Sequence, residues 1–449
     1  MEKYFFIDSK VTAKSDAKLD TKTLENLWQN FTANTSKVEI IKGEENTFII
    51  GEPSKVELGE DKEYAFSVTE KGIYLVGKDK NSLLRGIFAL LMKIERQDKT
   101  YIIKETCAAS NYLLKNRMIH ICVFPENDFY FIKKLIRFLA VCQYTHVVIE
   151  FWGTLRFDCL KELAWPNNAF TKEEAKELIN ECRKFGIEPI PMFNHLGHAT
   201  ASRECYGKHV VLDQNLSYDY LFTPDGWAWD IESEDVKALL KNIRLELYEI
   251  FGEGEYIHLG FDEAYYISAN DRLRKQLPDF LGELTRETEK EGRRPMIWMD
   301  MLLERNTYKD CVGTGRPEET EALRSATAPS TVFVDWQYYS SEVPIPTLKA
   351  LENCDRDVLG APWFSEKVYK AHIDTLKQGD MFGIMMTTWH TVKDNMKCIL
   401  DCSKKMGTDF HTWSRYSAPN IEAATLWRRI AFEGNEYSSS GFAKEQIEI

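Results

Sequence analysis

The chain lacks a long apolar run: nowhere among its 449 residues is there a stretch of about 18 uncharged apolar residues, the length that crosses a bilayer. Residues 1–8 also lack the apolar core of a secretory signal, because charges interrupt them after a few apolar positions. These absences predict a protein without a membrane partner, and we expect it to be cytoplasmic.

Paired cysteines and basic runs are also missing. The ten cysteines are scattered without a Cys-x-x-Cys pair, which excludes the usual patterns of a zinc ribbon or a thioredoxin-like site. No long Lys/Arg run appears, and the net charge of −13 disfavours polyanionic partners, because phosphate binding needs a concentrated basic surface. We therefore expect a neutral small substrate and no nucleic acid, while the oligomeric state stays open.

The chain does show the alternation of predicted strands and helices that is typical of a β/α protein. From about residue 114 onward, short apolar or β-branched runs alternate with stretches of helical period, the pattern of repeated βα units around a parallel sheet. Eight such units predict a (β/α)8 TIM barrel, an α/β fold. The predicted strands are 116–123, 145–151, 187–193, 255–260, 294–299, 331–336, 357–362 and 382–388.

The amino-terminal part has a different pattern. Strands predicted over 64–69 and 73–76 flank a turn at Gly72, and a helix predicted over 80–96 carries its leucines on one face. We predict an α+β accessory domain over residues 1–112. The barrel with a C-terminal helix would then occupy residues 113–449.

The most informative stretch is HLGFDE, residues 258–263, where a short apolar run ends in the adjacent carboxyl groups of Asp262 and Glu263. In a barrel enzyme the carboxyl ends of the strands build the active site. Two carboxyl groups held side by side cannot both ionise cheaply, so one is expected to stay protonated near neutral pH. A neutral acid beside a carboxylate suits glycosidic bond cleavage. By itself, the pair would rather indicate the start of a solvated loop, as most Asp-Glu pairs do.

Polar and aromatic residues also fall at the ends of the other predicted strands. A pyranose has C–H faces that stack on aromatic rings and hydroxyls that need polar partners, so this set favours a sugar ligand. The tryptophans could equally be core residues that cover the barrel, and Arg117 could only balance a buried carboxylate. The set comprises Arg117, Glu150, Trp152, His195, His198, Trp298, Asp300, Trp336, Tyr338, Tyr339, Trp363 and Trp389.

On these residues the chain resembles family 20 glycoside hydrolases, the exo-acting β-N-acetylhexosaminidases, and in particular their hexosaminidase D-like branch. Residues 258–263 are similar to the family's His-x-Gly-x-Asp-Glu signature, and residues 264–266 to the continuation in that branch. Residues 116–118, 187–198 and 294–298 resemble the first, third and fifth barrel strands of the family. Residues 65–83 resemble its accessory domain.

The resemblance implies retaining, substrate-assisted hydrolysis of terminal N-acetylglucosamine or N-acetylgalactosamine through an oxazolinium intermediate. It implies neither a cofactor nor a metal. Glu263 would be the acid and base, and Asp262 would orient the acetamido group. Among the substrate-binding residues that the resemblance implies, Arg117 would bind hydroxyls of the terminal sugar, and Tyr338, or else Tyr339, would contact the acetamido carbonyl. Trp298, Trp336 and Trp389 would form the walls of the pocket. His198, together with Glu150, would support Glu263.

The chain departs from the family pattern at several places, among them Met192 and Asn194 in place of acidic residues beside the third strand and His120 in place of an aspartate. Phe261 stands where a second glycine is common and is expected to narrow the pocket, and His390 and Thr391 follow Trp389 where many members carry Trp-x-Glu. The choice between glucosaminide and galactosaminide therefore stays open.

Two other functions stay open as well. One is a metal-dependent barrel hydrolase that uses His195, His198, His258 and Asp262 as ligands, since neutral imidazoles close together can share a divalent ion. The other is a carbohydrate-binding homologue that has lost catalysis.

Overall fold

The structure is a computed structural model that describes residues 2–16, 18–164, 168–199, 211–212, 215–379, 381–389, 392–408 and 419–430. The departures at His390 and Thr391 lie outside these residues. Among the helices in the described ranges, none has both the length and the apolar character needed to cross a membrane.

The amino-terminal part contains two sheets with helices beside them. Its strands are β1 Tyr4–Ile7, β2 Lys10–Ser15, β3 Lys37–Lys42, β4 Thr47–Gly51, β5 Tyr64–Thr69, β6 Gly72–Gly77, β7 Glu95–Gln97, β8 Thr100–Lys104 and β9 Thr106–Ala109. Six of them form a sheet in the order β3-β2-β4-β6-β5-β9, and β1, β8 and β7 form a second, antiparallel sheet. Helices Thr21–Phe31 and Lys80–Leu91 pack on the larger sheet.

The helix Lys80–Leu91 begins at the predicted residue but ends earlier than the predicted 80–96. The Asp79 side chain caps it by accepting a hydrogen bond from the backbone N–H of Ser82 at 2.7 Å. Beyond its end, Glu95–Gln97 pairs with β8 as a strand of the small sheet instead. The apolar face of the helix is buried as its period predicts.

Eight parallel strands then close into a barrel, each paired with the next and the last with the first. They are β10 Asn116–Cys122, β11 His146–Glu150, β12 Glu188–Met192, β13 Tyr256–His258, β14 Arg294–Trp298, β15 Val332–Trp336, β16 Asp357–Ala361 and β17 Gly383–Met386. All eight predicted strands are present, so the TIM-barrel fold class with an amino-terminal sheet domain is confirmed.

Helices surround the barrel. Their bounds are Phe129–Val141, Lys172–Lys184, Glu234–Phe251, Tyr265–Ala269, Asp271–Lys290, Pro317–Ala326, Pro346–Leu351, Glu366–Gln378, Val392–Lys405 and Pro419–Arg429. Several begin at side-chain caps; at Lys172–Lys184, Thr171 and Glu174 form a reciprocal capping box. Apolar residues on their inner faces are buried against the strands.

The interior of the barrel is a packed core. Inward-facing side chains from alternate strand positions fill it, so a ligand can enter only from an end. These residues include Met118, Val148, Ile190, Met192, Met296, Trp298, Val332, Val334, Leu359 and Met385.

At the amino-terminal end of the barrel, Arg117 connects β10 to the amino-terminal sheets. Its guanidinium donates to both carboxylate oxygens of Glu63 at 3.0 and 3.2 Å and to the backbone carbonyl of Gln143 at 2.9 Å. It also lies 3.7 Å from the ring centroid of Tyr112. Burial alone would raise the pKa of Glu63, but Arg117 and Arg85 hold it below its usual range. The pair joins the barrel to the sheets.

We expect Arg117→Ala to lower the free energy of unfolding by about 3 kcal/mol, because it removes the fully buried partner of Glu63 and leaves Arg85 as the cation that still contacts it. Lys3→Ala is the control, since Lys3 pairs with Glu70 on the surface at 3.5 Å, and exposed pairs contribute under about 1 kcal/mol. Urea unfolding measures both. A loss for Arg117→Ala no larger than the control's would contradict the structural role.

Candidate active site

The backbone turns sharply where β13 ends. Gly260, Phe261 and Glu263 have φ values of 70°, 85° and 51°, in the left-handed region, which glycine adopts freely and which costs a residue with a side chain about 1 kcal/mol or more. At Gly260 the contact also requires glycine, because a Cβ there would lie 2.1 Å from Oδ1 of Asn194. On a regular strand, Asp262 and Glu263 would face opposite ways. The left-handed turn brings both carboxyl groups to the same end of the barrel.

Phe261 does not line the opening of the barrel. Its side chain is fully buried in the hydrophobic core that also contains Ile267 and Leu259. The expectation that Phe261 narrows the pocket is therefore wrong: the left-handed turn directs the ring into the core instead. Its role is to anchor the turn.

Glu263 is held at four points. Its Oε2 lies 3.0 Å from Nε2 of His198, and its Oε1 accepts a hydrogen bond from the Tyr265 hydroxyl at 2.7 Å. Its backbone N–H donates to Oδ2 of Asp300 at 3.0 Å, and its carbonyl accepts from Nε1 of Trp227 at 2.8 Å. The carboxyl group therefore has a defined position, and the structure brings His198 to it as the resemblance implied.

Asp262 lies deeper than Glu263, with 5% of its side chain exposed against 27%. Nε2 of His198 lies 3.4 Å from Oδ2 of Asp262, so a single imidazole contacts both carboxyl groups. Gly197 makes this approach possible, because a Cβ there would lie 1.9 Å from the Asp262 carbonyl oxygen. The loop after β12 thus packs directly against the carboxyl pair.

A third carboxyl group, that of Asp300, lies next to the pair of Asp262 and Glu263. Its Oδ2 accepts from the Glu263 N–H and from the Thr314 hydroxyl at 3.2 Å, and its Oδ1 accepts from Nε1 of Trp336 at 3.2 Å. Burial, and then the charges of Asp262 and Glu263, raise the pKa of Asp300 to about 8. Asp300 is therefore largely neutral at neutral pH. The sequence placed it at a strand end but indicated no function for it.

The raised pKa of Asp300 predicts a pH dependence of stability. The folded protein retains a proton there that the unfolded chain releases near pH 4, so the free energy of unfolding falls as the pH rises from about 4 to about 8. We expect Asp300→Asn, which cannot ionise, to lose less stability than the wild type between pH 5 and pH 9. Urea unfolding at both pH values measures this.

Asp279→Asn, at an exposed position, is the control and should keep the pH dependence of the wild type. A wild type and an Asp300→Asn variant whose stabilities change in parallel over this range would show that Asp300 does not retain the proton.

Aromatic rings form a continuous wall beside the carboxyl groups. Trp298 is fully buried, and its ring centroid lies 5.7 Å from that of Trp389. Nε1 of Trp389 donates to the Tyr338 hydroxyl, and Tyr338 stacks on Trp336 at 5.1 Å. Tyr338 is 8% exposed, whereas Tyr339 is 69% exposed. Tyr338, not Tyr339, therefore belongs to the wall.

Glu150 supports this wall from the second strand. Its two carboxylate oxygens contact Nε2 of His120 and Nδ2 of Asn194, both at 2.9 Å, and all three residues are fully buried. The His120 ring in turn lies 4.4 Å from the ring centroid of Trp389. Glu150 thus lies at the predicted end of its strand and positions the aromatic wall through His120.

Arg117 does not belong to this site. It is the second residue of β10, and its side chain bonds Glu63 at the amino-terminal end of the barrel, while the carboxyl pair lies at the opposite end. The expectation that it binds sugar hydroxyls is therefore wrong. The contacts of Arg117 agree with the alternative, in which this residue balances the charge of a buried carboxylate.

The ligand set of the metal-dependent alternative is not assembled. Within the described residues, one cluster has the geometry to hold a metal ion: His198, Asp262 and Glu263, whose ligand atoms lie within 4.8 Å of one another. His195 and His258 lie outside it, and burial lowers the pKa of each to about 3. They are neutral core histidines, so two of the four expected ligands do not reach the cluster.

Comparison with known proteins gives the same family as the motifs. Residues 153–338 match the family model described as glycosyl hydrolase family 20, catalytic domain, a stretch that includes the carboxyl pair and Tyr338. No curated protein matches the sequence significantly.

Among solved structures, the chain is similar to an exo β-N-acetylglucosaminidase from Vibrio harveyi in complex with N-acetylglucosamine (13% identity, 99% of this chain and 75% of that one, TM-score 0.65). It is also similar to the β-N-acetylhexosaminidases from Streptomyces coelicolor (12%, 97% and 96%, TM-score 0.68) and Bacteroides fragilis (14%, 96% and 92%, TM-score 0.61). At these identities the likeness establishes the fold.

The closed barrel, the carboxyl pair at its mouth and the family match define the protein as a glycoside hydrolase. The match of residues 153–338 to the family 20 catalytic domain confirms the resemblance to that family. Its place in the hexosaminidase D-like branch stays a prediction.

Two residues that contact Glu263, Tyr265 and Trp227, were not predicted from the sequence. Tyr265 follows the signature directly, and its position two residues after Glu263 was the available signal. Trp227 comes from the long connection after β12, and no sequence pattern links it to Glu263. Only folding brings that loop back to the carboxyl pair.

Proposed function

We propose that the protein is an exo-acting, retaining β-N-acetylhexosaminidase that removes terminal N-acetylglucosamine or N-acetylgalactosamine by substrate-assisted catalysis. The observation that carries this proposal is the pair Asp262 and Glu263, which face one opening, share His198 and stand beside an aromatic wall. The similar structure from Vibrio harveyi, which contains N-acetylglucosamine, supports the choice of sugar.

The exposures of the two carboxyl groups divide their roles. Glu263 is the more exposed, so it protonates the glycosidic oxygen as the C–O bond breaks and later removes a proton from the attacking water. The acetamido oxygen of the substrate supplies the electron pair that forms the new bond at the anomeric carbon. The oxazolinium intermediate is then opened by water with net retention.

Asp262 handles the group that acts as the nucleophile. Its buried carboxylate accepts the acetamido N–H, aligns the carbonyl oxygen with the anomeric carbon and stabilises the positive charge that develops there. Burial strengthens this attraction, because the effective dielectric constant is lower than in water. His198, between the two carboxyl groups, holds their relative positions.

The aromatic wall accounts for recognition of the ring. Trp336 and Trp389 present faces and edges suited to the C–H surfaces of a pyranose, the Tyr338 hydroxyl lies among them, and the fully buried Trp298 packs beneath Trp389. Because the barrel interior below is filled, the sugar ring can enter only to a fixed depth.

We expect Glu263→Gln to reduce kcat for a β-linked N-acetylhexosaminyl disaccharide by at least about 100-fold, because the amide cannot donate the proton. Asp262→Asn should also lose rate, and a thiazoline mimic of the oxazolinium intermediate should inhibit the wild type competitively. Glu234→Gln, whose side chain is 84% exposed, is the control and should retain wild-type rates.

Turnover by Glu263→Gln at the wild-type rate would contradict the assigned acid. Inhibition by the thiazoline is specific to substrate assistance, and its absence with an active wild type would indicate a nucleophile from the protein. Binding of N-acetylhexosamine by a wild type that cleaves no hexosaminide would instead favour the carbohydrate-binding alternative.

Because His198, Asp262 and Glu263 have the spacing of metal ligands, a chelator tests the remaining alternative. We expect the hydrolysis rate to be unchanged after exhaustive treatment with EDTA. A rate that disappears with EDTA and returns on addition of a divalent cation would favour the metal-dependent hydrolase.

A further inference from the structure

Tyr265 contacts the proposed acid from the solvent side. Its hydroxyl donates to Oε1 of Glu263 at 2.7 Å, while 51% of the residue is exposed. It is the first residue of the short helix Tyr265–Ala269, which follows the signature directly. Burial and the hydrogen bond to Glu263 raise the pKa of Tyr265, so its hydroxyl remains a donor. An exposed aromatic ring thus stands at the reacting carboxyl group.

The other contacts of Glu263 come from less accessible groups. His198, which is 3% exposed, lies against Oε2, and buried Asp300 and half-buried Trp227 hold the backbone. A leaving-group oxygen must come within about 3 Å of a carboxyl oxygen to take its proton. Because buried His198 contacts Oε2 and exposed Tyr265 contacts Oε1, we infer that the leaving group approaches Oε1, on the side of Tyr265.

We propose that Tyr265 forms the leaving-group subsite, an inference that rests on the proposed function. In the free protein its hydroxyl occupies the position that the glycosidic oxygen takes when the substrate binds. The ring then packs against the leaving group. An exposed phenol ring offers a flat apolar face beside a hydroxyl, which fits the C–H face and hydroxyls of a second sugar. The substrate class is therefore an oligosaccharide or a glycan end, in which a sugar is the leaving group.

Tyr265 positions the Glu263 carboxyl group in both steps of the reaction, while the proton leaves that group and returns to it. When the C–O bond breaks, its electron pair stays with the leaving oxygen. That oxygen takes the proton of Glu263, which becomes a carboxylate. The Tyr265 hydroxyl can then donate to that carboxylate again. After the leaving sugar departs, the attacking water gives its proton back to Glu263.

The test compares two leaving groups. One substrate is a β-linked disaccharide with terminal N-acetylhexosamine; the other is the corresponding N-acetylhexosaminyl fluoride, whose leaving group has no ring. We expect Tyr265→Ala to lower kcat/KM about 10-fold for the disaccharide, the loss of one stacked ring, and less than about 3-fold for the fluoride. Tyr265→Phe keeps the ring and should keep the KM of the wild type for the disaccharide.

Tyr220→Ala is the matched control, because Tyr220 is also an exposed tyrosine, at 56%. We expect it to match the wild type on both substrates. Circular dichroism checks folding, and Tyr265→Ser takes the place of Tyr265→Ala in every comparison if the alanine variant does not fold.

Three outcomes would overturn the inference. Equal losses by Tyr265→Ala on both substrates would show a purely structural effect, and a KM increase in Tyr265→Phe equal to that in Tyr265→Ala would exclude ring packing. A wild type that cleaves neither substrate would overturn the proposed function and this inference with it. A wild type that cleaves both, with equal losses in the variant, would overturn this inference alone.

Discussion

The left-handed turn after β13 is the constraint on which the site depends. A regular strand would place Asp262 and Glu263 on opposite faces, and the positive φ values at Gly260, Phe261 and Glu263 bring them to one opening instead. This conformation is unfavourable by itself and persists because its surroundings determine it. The buried ring of Phe261 is the main compensation within the turn, since burial of a phenylalanine stabilises by about 2 kcal/mol or more, which exceeds the strain at one residue.

Charged residues have different functions at the two ends of the barrel. At the amino-terminal end, Arg117 and Glu63 neutralise each other in a contact that joins barrel and sheets, so their charge is unavailable to a ligand. At the carboxyl end, three carboxyl groups lie together around His198 and the Glu263 backbone without a buried arginine among their described contacts. Burial, and then the repulsion between these groups, favours the protonated form of Asp300 and raises its pKa to about 8.

Much of the fold could be predicted from the sequence, because the interior of a barrel demands short apolar strands at regular intervals, and those runs are visible without a structure. The signature at residues 258–263 and His198 could be predicted for a related reason: residues that end strands in this fold meet at one opening. Arg117 was placed wrongly because it opens its strand, and a side chain at that point belongs to the amino-terminal end. Phe261 was misjudged because its direction depends on a φ value that its identity does not predict.

By itself, then, the sequence determined the barrel, its amino-terminal sheet domain and the strand end that carries Asp262 and Glu263, since these follow from local periodicity and composition. Only the tertiary structure decided that Trp227, Tyr265 and Asp300 meet at Glu263, and that Asp300 holds a proton. The reason is physical. A side chain's direction and the pKa of a carboxyl group depend on neighbours brought from distant parts of the chain, and the spacing of residues along a sequence does not contain those distances.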